Sequence, residues 1–464
     1  MDIYEWKESQ SHKKVPQYTH FDRRVSLNSC FEYITSPDKV RHHGFYPFIH
    51  YTIKSRKIKK GKKEEPKKRQ IYYAAHLDGW IYRYYAWQIN EVYNQRVKKD
   101  GIDDAVVAYR TNLKKSNIDF AKEAFEHIRS MSSCYVMIGD FTDFFENLDH
   151  VYLKKQLCDL LSCDILPDDF YAVYKNVTRF SYVELKDLLR LNGLEDKAKN
   201  RKEFNDRSRK QALSPQEFRQ NKSLIHPSPH PKCGVPQGSP ISAVLANVYM
   251  LTADKKLQEY VLALGGFYMR YSDDFIIVLP QETVSFPEHY KVIKAILDSI
   301  PKLELKDSKT KVFYYSNYSV KNCTASFIDD GVNGKNIIDF LGFSFDGKNI
   351  RIRDKTISKY YNRLYRKLRT IVKNNGYTQK KHRISGKNLY ENYSYKGSLS
   401  YLRRRAKKTG ARLDENTVHG NFIDYVERAQ KKLKNEPIDS ATKRHMQKIQ
   451  KRLKGIADNV NKLE

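Results

Sequence analysis

Two stretches of this 464-residue sequence place acidic side chains where such side chains are expensive. In YMRYSDDFIIVLP, Tyr268 to Pro280, Asp273 and Asp274 stand side by side between two apolar, β-prone runs. A tight hairpin turn ordinarily takes Asn-Gly or Asp-Gly. Adjacent carboxylates repel, and burying them without a partner is costly. In MIGDFTDFFENLDH, Asp140 closes an apolar run, at a strand end where the sheet fixes a carboxylate that solvent can still reach. Taken singly, each acid is equally an ordinary turn residue. Brought together, the three would collect divalent cations. Two Mg²⁺ about 3.5–4 Å apart activate an attacking hydroxyl and stabilise the leaving oxygen of a phosphoryl transfer. Mg²⁺ takes hard oxygen ligands from one or two carboxylates plus substrate phosphates, and Mn²⁺ is the alternative ion.

The elements that must position these acids follow from periodicity. Residues 46–75 are expected to form a hairpin, YPFIHYTIKSRKI against RQIYYAA, around the basic loop KKGKKEEPKK. DGWIYRYYAWQINEVYNQRV and NIDFAKEAFEHIRS have helical spacing, the second with Asn117 or Asp119 as its cap. CYVMIGDF is a buried strand, and LDHVYLKKQLCDLL is helical. Residues 165–232 are weakly periodic and are expected to be inserted helices and loops. In GVPQGSPISAVLANVYM, Gly234, Pro236 and Gly238 shape a tight loop before a long helix that Pro240 enters near its first turn. A helix N-terminus of that kind favours phosphate. SFPEHYKVIKAILDSI is a helix, TKVFYYS a strand, and IIDFLGFSFDGKNIRI a small hairpin with a glycine turn.

Charge indicates the partner. There are 85 Lys and Arg against 54 Asp and Glu, a net of +31, which favours a polyanion. Lys355 to Glu464 holds about 29 of the bases and about 9 of the acids, and reads as a separate basic helical lobe. The six cysteines are scattered without zinc spacing, as expected of reduced thiols in a cytoplasmic protein. The N-terminus has no apolar signal region, and no run of about 18 apolar residues could span a membrane.

The order Asp140 with FF, then PQGSPIS, then YSDD, then SKTK, then FLGF resembles the palm of reverse transcriptases, across roughly residues 65–80 and 130–350. It is most similar to the prokaryotic kinds, retron and group II intron, and above all to the antiviral, defence-associated bacterial groups. The resemblance implies an α+β right-hand polymerase with fingers, a palm built on an antiparallel sheet, and a helical thumb. It implies fingers at 1–130, a palm at 131–350 with an insertion at 151–235, and a thumb at 355–464.

The family's metal aspartates fall on Asp140, Asp273 and Asp274, with the Phe141 carbonyl as a further metal ligand. Phe145 matches the aromatic gate that crowds a ribose 2′-hydroxyl; core packing is the alternative. Gln237 and Gly238 match the pair beside the incoming nucleotide. Arg69 matches the triphosphate-gripping arginine, whose planar fork suits phosphate, and its partner lysine among residues 54–63 is left unchosen. Lys309 matches the lysine near the β,γ-phosphates, with a solvated surface lysine as the alternative. Phe340, Leu341 and Gly342 of FLGF match the primer grip. No ribonuclease H or zinc-nuclease pattern is found.

Three activities compete on these residues. One is cDNA synthesis from a structured noncoding RNA, serving as template or scaffold, in anti-phage defence. Another is template-independent or protein-primed addition of deoxynucleotides. The last is RNA binding on an inactive palm. The implied partners are that RNA, dNTPs and an RNA/DNA duplex product. A homo-oligomer or a partner defence protein is left open.

Overall fold

The computed structural model describes residues 2–11, 17–55, 58–59, 62–63, 65–205, 211–281, 286–306, 308–328, 331, 333–373, 389, 393 and 421–461. Its helices and mainly antiparallel sheets make an α+β fold. The chain folds into two compact units, whose boundaries do not coincide with 130, 350 or 355.

The first unit takes Met1–Leu113, Gly139–Phe275 and Ser285–Thr310. The expected hairpin is present: Phe48–Ser55 pairs antiparallel with Lys67–Tyr73, with Ile49 opposite Tyr73 and Ser55 opposite Lys67. Residues 165–232 are not helix and loop alone. Ser181–Glu184 joins Phe48–Ser55 in parallel, and His226–Pro227 pairs with Ser181–Glu184, giving a four-stranded sheet. These strands are too short to show a period, and their pairing is long-range. The helix His76–Lys99 buries Trp80, Ile81, Tyr84, Tyr85, Ile89 and Tyr93, as its aromatic spacing requires. The helix Ser242–Ala263 is nearly all buried over its first half, with Pro240 just outside its first turn. Strand Phe267–Tyr271 leads through Ser272 and Asp273 into strand Asp274–Pro280.

The second unit takes Lys114–Ile138, Ile276–Val284 and Lys311–Glu464. Strand Lys311–Ser316 pairs antiparallel with residues 133–138 and with Ser319–Asn322. IIDFLGFSFDGKNIRI forms three strands, not the two of a hairpin. It turns first at Leu341 and Gly342, both with positive φ, and again at Gly347. The helix Asn117–Ser130 is capped by Ser116 instead of Asn117 or Asp119, with Asp119 reaching back to the Ser116 N–H at 2.8 Å. Asn117 instead donates to the Leu341 carbonyl at 2.9 Å and the Tyr425 hydroxyl at 3.0 Å.

The basic C-terminal helices Asp354–Lys373, Phe422–Lys432 and His445–Asn461 bury Tyr360, Leu364, Leu368, Ile423 and Ile449 against one another. This lobe is not separate from the rest of its unit. Lys432 lies 2.6 Å from Asp119, and Arg129 lies 2.6 Å from Glu436. The expected broken basic stretch KGSLSYLRRRAKKTGARLD lies outside the described residues. No described helix is long and apolar enough to cross a membrane. The six cysteines are unbridged, as expected.

Candidate active site

The strand Ser133–Asp140 ends inside the first unit, and a glycine sets how closely it packs there. A Cβ on Gly139 would fall 2.4 Å from the Phe275 ring, so only glycine lets the strand lie against the residue that follows Asp274. The Phe141 and Phe275 rings then meet at 5.9 Å. Packing on both sides of Asp140 thus holds it near the Ser272–Asp273 turn.

Asp140 itself is buried, and its carboxylate is ion-paired with the Lys309 ammonium. Lys309 arrives on a loop stitched to the same strand end. Lys306 N–H donates to the Asp140 carbonyl at 2.9 Å, Thr142 N–H to the Glu304 carbonyl at 2.9 Å, and Lys309 N–H to the Lys306 carbonyl at 2.8 Å. The lysine head is half exposed, so it can leave the carboxylate without unfolding anything.

The Gly-Pro loop is fixed by backbone contacts on both flanks. Val235 N–H bonds the Phe145 carbonyl and Gly234 N–H the Leu148 carbonyl, each at 2.8 Å. Tyr72 N–H bonds the Gln237 carbonyl at 2.8 Å. Gly238 has φ +114°, and a Cβ there would lie 2.6 Å from the Tyr72 carbonyl, so the glycine is required twice over. His150 supports the loop from beneath, with Nε2 2.8 Å from the Gly234 carbonyl. Burial pushes the His150 pKa down, which keeps the ring neutral.

A cavity of about 410 Å³ gathers most of the residues singled out in the sequence. Asp140, Phe141, Asp273, Phe145, Gln237, Gly238, Arg69 and Lys309 all line it, with Lys68 and Lys306 as further cations. Phe145 is half-buried and meets the buried Phe144 ring at 5.6 Å. The cation beside Arg69 in the lining is its neighbour Lys68. Asp274 is exposed and outside the lining, because side chains alternate along the strand it opens. Phe340, Leu341 and Gly342 belong to the second unit.

Two further features were not visible in the sequence. Tyr109, in left-handed backbone with φ +62°, lines the cavity and meets the Ser272 hydroxyl at 2.9 Å. Burial foremost, with the Asp273 carboxylate adding, pushes the Tyr109 phenol up, so it stays protonated. Ser272 is itself left-handed, with φ +63°. Beneath the turn, the fully buried Arg270 donates to Asp254 at 2.6 and 2.7 Å and to the Ser272 carbonyl at 2.9 Å. No signal short of the fold reveals a pairing between Arg270 and Asp254, sixteen residues apart.

Among the described residues no three His, Cys, Asp or Glu side chains form a ready-made metal cage. The donor set nonetheless suits a hard cation that shares its shell with substrate. Asp140 and Asp273 offer two carboxylates to one cavity, and Mg²⁺ fills its remaining positions with water and phosphate.

Residues 195–345 match the family model described as reverse transcriptase (RNA-dependent DNA polymerase). The matched segment is about a third of the chain. Asp273 and Asp274 lie within the matched segment, and Asp140 precedes it. The fold is α+β. Solved structures similar to this chain include an apo telomerase from Candida tropicalis truncated from its C-terminal domain. That match has 11% identity and a TM-score of 0.39, covering 66% of this chain and 57% of that one. A telomerase from Candida albicans, in complex with a fragment of telomeric RNA, matches at 14% identity and TM-score 0.37, covering 93% of this chain and 61% of that one. The chain therefore spans little more than half the length of these telomerases.

Proposed function

We propose that this protein is an RNA-directed DNA polymerase that copies an associated noncoding RNA into cDNA. The observation that carries this reading is the single cavity holding Asp140, Asp273, Arg69, Phe145, Gln237 and Lys309. Among the described residues four carboxylates, Asp140, Asp143, Glu146 and Asp273, share it with four cations, a mixture that suits a nucleoside triphosphate with its metal ions. Two Mg²⁺ held by Asp140 and Asp273 would supply the activated hydroxyl and the stabilised leaving group, with Asp274 in support.

The chain's own residues do the rest. Arg69 and Lys68 grip phosphate oxygens. Lys309, ion-paired with Asp140, would cover that carboxylate in the resting protein and turn to the phosphates of the bound nucleotide. Phe145 bars the 2′-hydroxyl of a ribonucleotide. Gln237 and Gly238 back the incoming nucleotide. The Leu341–Gly342 turn serves as primer grip, and the basic C-terminal helices clamp the duplex. In this reading residues 1–130, 131–350 and 355–464 act as fingers, palm and thumb. The likeness to defence-associated bacterial enzymes supports a role in anti-phage defence, in the cytoplasm.

The test is synthesis by the full chain with Mg²⁺ and each dNTP, with and without its co-purifying RNA. RNase-sensitive product of defined sequence is expected. Homopolymer that survives RNA removal would replace this reading with template-independent addition. No incorporation under any condition would leave an RNA-binding scaffold.

A further inference from the structure

From Arg69 to Tyr72 the strand Lys67–Tyr73 alternates between two cavities. Arg69 and Ile71 point into the aspartate cavity. Gln70 and Tyr72 line the other, about 340 Å³, together with His50 and Thr52, their antiparallel partners in register. The lining continues onto Tyr182 of the neighbouring strand Ser181–Glu184 and onto Phe180 just before it, with Ser228, Pro229 and His230 at the rim.

This second cavity is aromatic and fixed. Tyr72 meets His50 at 4.7 Å, Phe180 at 5.0 Å and Tyr182 at 5.5 Å between ring centroids. His50 is held at both ends, Nδ1 2.8 Å from Glu184 Oε1 and Nε2 2.8 Å from Gln70 Oε1. Polar groups are present, yet among the described residues neither lysine nor arginine lines it, whereas four such cations line the aspartate cavity. A phosphate would find no counter-charge here. A flat, uncharged, polar-edged group would find aromatic surface and amide or hydroxyl edges, the usual terms on which proteins hold a single base. Its volume lies at the small end of the ~300–1,000 Å³ of ligand sites, too small for a duplex. Glu146 and Gln237 border both cavities, so occupants of the two would be neighbours.

We propose that this cavity receives one unpaired nucleobase of the strand being copied, ahead of the base opposite the incoming nucleotide. The proposal rests on the polymerase reading above. It divides the work between the two faces of one strand: phosphates on the cationic side, a waiting base on the aromatic side.

Single-nucleotide incorporation by the full chain on a primed RNA template tests it, with an abasic residue placed one position ahead of the copied base. The wild-type protein is expected to lose about tenfold in kcat/KM on the abasic template, the scale of one base–aromatic stack. Tyr182→Ala should show that loss on the intact template and be indifferent to the abasic site, while Tyr182→Phe behaves as wild type. Ser228→Trp narrows the cavity from its rim without removing a ring, and should reproduce Tyr182→Ala in a protein whose core is untouched. Equal wild-type rates on intact and abasic templates overturn the proposal while the polymerase reading stands. No incorporation on any template removes the polymerase reading, and this proposal with it. Free adenosine binding that Ser228→Trp abolishes, without any abasic effect, assigns the cavity to a free nucleoside and overturns the strand-borne source.

Discussion

The two cavities flanking Lys67–Tyr73 are built from the same strand and the same Gly-Pro loop, yet their chemistry is opposite. The aspartate cavity sets carboxylates against Lys68, Arg69, Lys306 and Lys309. The second cavity has rings and amides and, among the described residues, no such cation. From Arg69 to Tyr72 the difference follows strand alternation, so neighbours such as Arg69 and Gln70 can serve unrelated purposes; Lys68, at the strand's start, lines the aspartate cavity together with Arg69. Charge concentrated on one side alone marks that side for phosphates and metal ions. A uniformly basic surface would have given a nucleic-acid binder with no such division.

The sharpest way to break this contrast is to remove the acids. Asp273→Ala with Asp274→Ala should lower synthesis by about 10³-fold or more, since metal-bound charge stabilisation is worth several kcal/mol. RNA affinity, measured by filter binding, should stay nearly unchanged, because the basic excess lies in residues 355–464. Synthesis that persists would place the chemistry elsewhere. A smaller effect is expected from Arg69→Ala on the cationic side. The KM for dNTP should rise about ten- to a hundredfold in steady-state kinetics, the scale of a charge-assisted phosphate contact. Gln70→Ala, one residue along and facing the other way, should leave that KM within about twofold, well under the free energy of one hydrogen bond. A matching rise in both variants would erase the contrast. Phe145→Ala should lower discrimination against ribonucleotides by about tenfold, read from paired dNTP and rNTP incorporation.

The smallest expected effect concerns the loop both cavities share. The folded-state pKa of His150 is depressed by burial, whereas the unfolded chain takes up its proton below about pH 6.5. The unfolded state then binds more protons, so the stability this histidine contributes is present above that pH and lost as pH falls below it. His150→Gln should flatten the thermal-melt profile between about pH 6.5 and 5. An unchanged slope would take His150 out of the loop's support.

Sequence alone determined the acids, the loop and their order. Asp140 at the end of an apolar run and the SDD turn are local patterns, and the PQGSPIS glycines mark a backbone that must bend. The helices His76–Lys99 and Asn117–Ser130 were likewise legible, because their apolar periods are long. Tertiary structure alone decided which cation sits on Asp140, that Tyr109 meets Ser272, and that Arg270 lies under the turn on Asp254. It also turned Ser181–Glu184 into a strand and so closed the aromatic cavity. The physical reason is range. Periodicity and turn chemistry are written within a few residues, whereas ion pairs and short strands exist only once distant segments are packed together.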